Sequence, residues 1–301
     1  MTQKDKILFI IISGVCLVFI GYILTKRYRE AMSEEKDVYV SQNGYKIDTS
    51  KSHLRSLIDD LTKQQRIPKI IHQTYYTNVL DIEYQESCLI NKHMNPEYEY
   101  RFYTDNDDKK YINTHYPQYL TYYNSLKPGA YKADFFRYLV LFREGGVYLD
   151  CKSSTIIPLR AFIKDDIGFV SFKDKPIGTI QISFIASIAN HILLGKCIEL
   201  CVNNIKNKNY GLNALDITGP QICGRAFNIL LNKKELEQIK EGVYKNMDVD
   251  IIGSIKIIGE NKYQVLCDSK GLPLVARTCG SYKDTGSNYY SNRWTLGDVF
   301  K

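Results

Sequence analysis

The chain has 301 residues, of which 44% are hydrophobic, and this is enough to bury one substantial core, or one core with a small appendage. Its formal charge of +7 is spread along the sequence, and no basic run interleaved with aromatic residues indicates a nucleic-acid partner. The eight cysteines form no CxxC pair and no Cys/His cluster with zinc spacing, which argues against a zinc domain.

Near the amino terminus, residues 7–24 read ILFIIISGVCLVFIGYIL and contain no charged side chain. A helix of this length rises about 27 Å, roughly the hydrocarbon thickness of a bilayer. No small-residue cleavage site follows, so an uncleaved anchor is favoured over a signal peptide. We predict a single-pass membrane protein held in the lipid bilayer by residues 7–24, in a Golgi- or ER-type membrane if the source is eukaryotic. Basic residues flank both ends, which leaves the orientation open.

Composition divides the chain into a predicted transmembrane anchor (1–25), a charged and polar stem (26–65) and a globular body (66–301). Within the body, β-branched or alternating runs predict strands and amphipathic runs predict helices. In chain order the predicted elements are a strand in KIIHQTY (69–75), a helix over 81–94, a strand in YEYRFYTD (98–105), a short helix after Pro117, a helix over 130–142, strands in VYL (147–149), GFVSF (168–172) and ISFIASI (182–188), helices near 190–206 and 220–231, and strands near 250–258 and 262–267.

Strands that alternate with helices predict an α/β fold with a mostly parallel central sheet flanked by helices. In such folds ligands bind outside the carboxyl ends of the strands. Asp150 follows a predicted strand, and the segment from His72 to Tyr75 ends another. Both therefore belong at the expected site, although a histidine in a buried strand is more often a satisfied core residue than a catalyst.

The segment KADFFRYLVLFREGGVYLDCKSS, residues 132–154, carries the strongest chemical signal. Asp134 and Arg137 are three apart on a predicted helix, so their side chains share a face. Gly145 and Gly146 end that helix, and the following strand brings Tyr148 and Asp150 to its tip. Such a set offers cations for phosphates, carboxylates for sugar or ribose hydroxyls and an aromatic surface for a base. A surface ion pair and a strand-end cap are the simpler alternatives.

Four ordered motifs make a resemblance specific: IPKIIHQTY, NPEYEYRFYTD, ADFFRYLVLFREGGVYLD and the TGP at 218–220. Over roughly residues 66–300 the chain resembles the DXD-motif glycosyltransferases of glycosyltransferase family 32, which include fungal initiating mannosyltransferases. It is also similar to the glucosylating domains of large clostridial toxins. The resemblance implies a GT-A fold for residues 66–301 and transfer of a hexose, with retention, from a nucleotide sugar (UDP- or GDP-hexose) to a glycan or glycoprotein acceptor.

The same resemblance implies roles for individual residues. Asp134 and Arg137 would hold donor-sugar hydroxyls and phosphate, Tyr148 and Asp150 match the start of the YLDxD string, and these two aspartates with Arg137 are the expected catalytic residues. Tyr75 would stack on the base, and Trp294 would reach the β-phosphate. For Tyr75 and Trp294, packing against the core is the simpler alternative, and TGP could be only a helix-start turn.

Lys152 departs from the family pattern, because a metal-binding carboxylate is expected there and an ammonium group repels a cation. In an extended chain, positions 150 and 152 share a face. Three interpretations stay open. Asp150 could retain Mn²⁺ or Mg²⁺ with help from Asp284, Asn288 and Asn292; Lys152 could itself neutralise the diphosphate; or the chain could be an inactive module of glycosyltransferase fold that binds carbohydrate or nucleotide sugar.

Overall fold

The computed structural model describes residues 38–40, 46–48, 65–258, 263–278 and 289–301. The chain divides into two compact units, residues 1–63 and 64–301. In the first unit, strands β1 (Val38–Val40) and β2 (Lys46–Asp48) pair antiparallel. No helix within the described residues is long and apolar enough to cross a membrane, and the predicted anchor at 7–24 lies outside them.

The second unit alternates helices with strands over its first half, and a run of strands precedes its last described helix. The strands are β3 (Ile70–Thr74), β4 (Glu99–Tyr103), β5 (Gly146–Leu149), β6 (Ser153–Thr155), β7 (Phe169–Lys173), β8 (Ile180–Ser187), β9 (Gly242–Tyr244), β10 (Val249–Ile258), β11 (Tyr263–Asp268) and β12 (Pro273–Thr278). The helices are α1 (Ile82–Met94), α2 (Asp105–His115), α3 (Leu120–Ser125), α4 (Gly129–Glu144), α5 (Ile192–Lys206), α6 (Pro220–Leu230) and α7 (Tyr290–Thr295).

These strands form one mixed sheet in the order β4-β3-β5-β8-β7-β10-β11-β12-β6, with β9 also paired to β10. Of the pairings between described strands, β3–β4, β3–β5 and β7–β10 are parallel and the others are antiparallel. The α/β prediction is confirmed, but the prediction of a mostly parallel sheet is wrong. All eight residues of β8 are buried, as in a parallel core strand, yet β8 runs antiparallel to both of its neighbours.

The sheet curls on itself. Strand β6 lies at one end of the strand order, whereas β5 lies near the other end, yet only residues 150–152 separate them in sequence. One hydrophobic cluster lies between the sheet and helices α4, α5 and α6, and includes Phe136, Leu194 and Phe227. A second cluster, including Val147 and Leu274, joins residues from both halves of the sheet across its other face.

The turn between α4 and β5 explains the glycine pair. Gly145 ends α4 with φ 68°, and Gly146 follows with φ 101°, a region that residues with a Cβ rarely adopt. A Cβ at Gly146 would also lie 2.7 Å from the carbonyl oxygen of Ile70. The chain can therefore reverse direction closely against β3, which sets β5 beside it.

Strand β6 has no further strand on its outer side among the described residues, and buried asparagines in and just after α1 lie there instead. Asn91 donates to the carbonyl oxygen of Ser153 at 2.8 Å and accepts from the amide of Thr155 at 2.9 Å. Asn95 accepts from the amide of Leu159 at 2.7 Å. Backbone groups that would otherwise be buried without partners are thus satisfied by side chains.

Candidate functional site

A cavity of about 890 Å³ opens where β3 and β5 end. Its walls come from the first half of α4, the residues after these two strands, the segment 174–183, the loop before α6 and strand β12. The lining includes Thr74, Tyr75, Tyr76, Tyr84, Asp105, Lys127, Lys132, Asp134, Arg137, Tyr148, Asp150, Cys151, Lys152, Asp174, Lys175, Gln181, Gly219, Pro220, Arg277, Tyr289 and Tyr290.

Arg137 lies at the centre of the predicted site residues and is only 4% exposed. Its guanidinium contacts Asp134 at 2.9 Å and Asp150 at 3.3 Å, and donates to the carbonyl oxygen of Ile182. The guanidinium carbon also lies 4.4 Å from the centre of the Tyr148 ring, which is a cation–π contact. The structure thus brings together four residues predicted from sequence, two from α4 and two from the end of β5.

Asp134 is held from two sides. Besides the Arg137 ion pair, it accepts a hydrogen bond from the Thr218 hydroxyl at 3.2 Å. Burial raises the pKa of Asp134 to about 6, against the opposing charge of Arg137. Thr218 belongs to the TGP motif, and Gly219 and Pro220 line the cavity, so this motif faces the site as well as starting α6.

Asp150 is surrounded by cations. Arg137 pairs with one carboxylate oxygen and Arg277 with the other, each at 3.3 Å. Burial by itself would raise the pKa of Asp150, but the charges of Arg137, Arg277 and Lys152 hold it below the usual value. Asp150 therefore stays ionised at neutral pH.

Lys152 is buried and lines the cavity with Asp150. The chain between them is not extended as predicted, since the Ser153 amide donates to the Asp150 carbonyl oxygen at 2.8 Å and closes a turn. The turn, rather than strand alternation, places residues 150 and 152 at the same cavity.

Arg277 lines the cavity but was not predicted from the sequence as a site residue. It belongs to β12, which was not predicted, and pairs opposite Ser153 of β6 in the sheet register. This pairing brings Arg277 next to Asp150, although the two residues are 127 positions apart in the sequence. The alternating run LVART after Pro273 was the one signal of a strand here, and nothing in it indicates the partner strand.

Tyr75 stands at the cavity wall in a group of aromatic rings. Its ring centre lies 4.6 Å from that of Tyr76 and 5.3 Å from that of Tyr84. His72, by contrast, is buried in β3 with its two ring nitrogens 3.1 Å from the Tyr103 hydroxyl and 3.0 Å from the Gly145 carbonyl oxygen. Burial lowers the pKa of His72 to about 4, so it is a neutral core residue.

Trp294 lies on α7 and does not line the cavity. Its indole N–H donates to the carbonyl oxygen of Tyr210 at 2.7 Å, and its ring packs against the main hydrophobic cluster. Tyr289 and Tyr290, just before it, line the cavity instead. The structure therefore does not bring Trp294 to the other predicted site residues.

The described residues at Asp150 do not fit a divalent cation. Mg²⁺ and Mn²⁺ bind through oxygen ligands, but both Asp150 oxygens face arginines, and an ammonium group stands where the second carboxylate is expected. In the described part of the chain, no three His, Cys, Asp or Glu side chains are grouped to hold a metal. Asp284 and Asn288 lie outside the described residues, and Asn292 is exposed on α7, away from the cavity lining.

Residues 79–168, which contain α4, β5 and Lys152, match a family described as "Glycosyltransferase sugar-binding region containing DXD motif". Over this stretch the chain is similar to the DXD-motif glycosyltransferases. The resemblance found from the sequence motifs is confirmed by this match. Asp134, Arg137, Tyr148 and Asp150, which converge at the cavity, all lie within the DXD glycosyltransferase region.

Curated relatives carry related names. The chain is 42% identical over 87 residues to inositol phosphoceramide mannosyltransferase 3 of Schizosaccharomyces pombe, covering 28% of this chain and 24% of that protein. It is 30% identical over 171 residues to inositol phosphoceramide mannosyltransferase 2 of the same yeast, covering 54% and 47%. The chain thus spans less than half the length of either relative. A solved structure named PaToxG Glycosyltransferase aligns with 60% of this chain and 76% of its own, with 18% identity and a TM-score of 0.43.

Proposed function

We propose that this protein is a retaining glycosyltransferase that moves a hexose from a nucleotide sugar to an acceptor hydroxyl, with residues 66–301 in a GT-A-type arrangement. The observation that carries the proposal is the convergence of Asp134, Arg137 and Asp150 on one cavity inside the DXD glycosyltransferase region. Two carboxylates and a guanidinium suit a ligand that has both sugar hydroxyls and phosphates.

Each of these residues receives a role from its surroundings. Asp134 accepts hydrogen bonds from the donor sugar, held in place by Thr218 and Arg137. Asp150 accepts hydrogen bonds from ribose or sugar hydroxyls. The Tyr148 ring lies against the Arg137 guanidinium and keeps it in place. Tyr75, with its neighbouring tyrosines, offers a surface on which a base stacks.

In the proposed reaction the bond between the anomeric carbon and the β-phosphate oxygen breaks, and its electrons stay on the departing diphosphate. The acceptor oxygen bonds to the anomeric carbon on the same face and passes its proton to the departing phosphate. Neither Asp134 nor Asp150 acts as a covalent nucleophile, because each is already committed to Arg137.

The names of the relatives suggest a first donor and acceptor to test. Both are named inositol phosphoceramide mannosyltransferases, so activated mannose is the first candidate donor. A glycolipid of that kind is proposed beside glycans and glycoproteins as the acceptor. The predicted anchor at 7–24 would hold the active unit at a membrane of the Golgi or ER type.

The test is release of nucleoside diphosphate from a panel of UDP- and GDP-hexoses by the full-length chain, with and without candidate acceptors. Asp134→Asn and Asp150→Asn should each lower turnover at least a hundredfold, whereas Glu199→Gln, on the exposed side of α5, should not change it. Absence of both binding and turnover across the panel would refute the proposal.

A catalytically inactive nucleotide-sugar-binding module is the second candidate, and the buried Lys152 in the DXD position favours it. The two functions differ in one result. A module binds one nucleotide sugar from the panel without releasing its diphosphate under any condition, even with acceptor present.

A further inference from the structure

The charge around Asp150 is unusual for a site that would bind a metal. Three cations, Arg137, Lys152 and Arg277, lie near Asp134 and Asp150 in the cavity, and Asp174, which also lines it, lies near Arg277. A diphosphate brought into the cavity would therefore meet positive side chains directly.

Arg277 is placed to take part in this encounter. It lies in a strand of the sheet, so its backbone is fixed by pairing with β6 and β11. Its ion pair with Asp150 is 3.3 Å long, longer than the usual 2.7–2.9 Å of a charge-assisted hydrogen bond, and its other terminal nitrogen donates to the Gln264 side chain at 3.3 Å. By comparison, Arg137 holds Asp134 at 2.9 Å. A planar guanidinium in this position matches the geometry of phosphate oxygens.

We propose that Lys152 and Arg277 together replace the divalent cation and bind the diphosphate of the donor, so that this chain holds nucleoside diphosphates without metal. The inference rests on the proposed function and assigns a role to a residue outside the DXD glycosyltransferase region. Lys152 donates to the phosphates from the turn after β5, and Arg277 donates from β12. Both groups then stabilise the negative charge left on the diphosphate when the glycosidic bond breaks.

The experiment measures binding of UDP, GDP, UMP and GMP to the full-length chain by calorimetry, once with EDTA and once with Mn²⁺. We expect the diphosphate of the preferred base to bind with the same affinity, within about twofold, in both buffers. Lys152→Gln and Arg277→Gln should each weaken diphosphate binding roughly tenfold to a hundredfold. Neither should weaken monophosphate binding comparably, whereas a variant that only disturbs the fold would weaken both ligands.

Three further variants sharpen the result. Lys132→Gln removes a cation from the same cavity, beside Asp105 and the Tyr123 ring, and should leave the diphosphate affinity within about twofold. Lys152→Asp restores the carboxylate of the family pattern and should make diphosphate binding depend on Mn²⁺ by at least tenfold. Arg277→Lys keeps the charge and should recover part of the affinity that Arg277→Gln loses.

The outcomes separate the two proposals. Diphosphate binding that needs Mn²⁺ in the unaltered chain overturns the metal-free inference and leaves the glycosyltransferase proposal standing. An equal loss with Lys132→Gln also overturns it, because general positive potential would then explain the effect. If no nucleotide or nucleotide sugar binds in either buffer, the proposed function itself fails.

Discussion

Asp108 is a carboxylic acid enclosed by the protein, and its titration should make the fold less stable as the pH rises from 3.8 to about 8. It is 1% exposed, and its oxygens lie 3.1 and 3.2 Å from the Thr74 hydroxyl and 3.4 Å from that of Tyr123. Burial raises the pKa of Asp108 from 3.8 to about 8. Between these two values the native state keeps a proton that the unfolded chain has lost, so the free energy of unfolding falls as pH rises.

Asp108→Asn keeps the shape of the side chain and removes the titration. The Thr74 hydroxyl donates to the Asp108 carboxyl, and the amide oxygen of the variant can accept the same hydrogen bond. For each pH unit between 3.8 and 8, the free energy of unfolding of the unaltered protein falls by ~1.4 kcal/mol relative to that of the variant. By pH 8 the variant should therefore be more stable by up to roughly 5 kcal/mol. At pH 4 the two proteins should be equally stable within about 1 kcal/mol.

Urea unfolding of the full-length chain, followed by fluorescence of the single tryptophan, Trp294, measures this at pH 4, 6 and 8. Asp107→Asn is the matched control, one residue away on α2. There, hydrogen bonds from Thr104 lower the pKa of Asp107, and the carboxylate completes a capping box. Asp107→Asn should lower the free energy of unfolding by about 1 kcal/mol at pH 8. A constant difference between Asp108→Asn and the unaltered protein across pH would refute the argument.

Three other outcomes follow from the structure. Asn91→Leu leaves two buried backbone groups of β6 unpaired and should lower the free energy of unfolding by about 2–4 kcal/mol in urea titrations. Affinity for the preferred nucleotide sugar should fall below pH 6, where Asp134 gains a proton, whereas Asp134→Asn should bind weakly with no such pH dependence. Gly224→Ala puts a Cβ 1.8 Å from a backbone oxygen and should cost at least about 2 kcal/mol, while Gly129→Ala, with open space around it, should change stability by less than about 0.5 kcal/mol in the same titrations.

The sequence predicted those elements whose hydrophobic period is clear, and missed those whose stability comes from distant partners. Helix α4 and strand β5 were predicted with their connecting glycines, because apolar spacing and a glycine C-cap are local signals. Helix α2, DNDDKKYINTH, was missed because its polar composition resembles a loop, although its Thr104–Asp107 capping box is a local signal that was available.

Strand direction was the larger error, and its cause is physical. Burial on both faces decides whether a strand is continuously apolar, and β8 is buried on both faces whichever way its neighbours run. The site residues divide in the same way, into those with local sequence signals and one that depends on a distant partner. Asp134, Arg137, Tyr148 and Asp150 are close in sequence and were predicted, whereas Arg277 reaches them through a pairing between two short strands that no local pattern encodes.

The β12–β6 pairing also orders the assembly of the molecule. Contacts between residues far apart in sequence form slowly, because the chain must first lose the conformational entropy of the long loop between them. Asp150 can meet Arg137 once α4 and β5 come together, but it can meet Arg277 only when β12 has been synthesised and has paired with β6. A chain cut before Pro273 leaves β6 without its partner strand and the cavity without one of its cations. We therefore expect the site to be completed late in folding, and nucleotide binding would report that β12 has paired with β6.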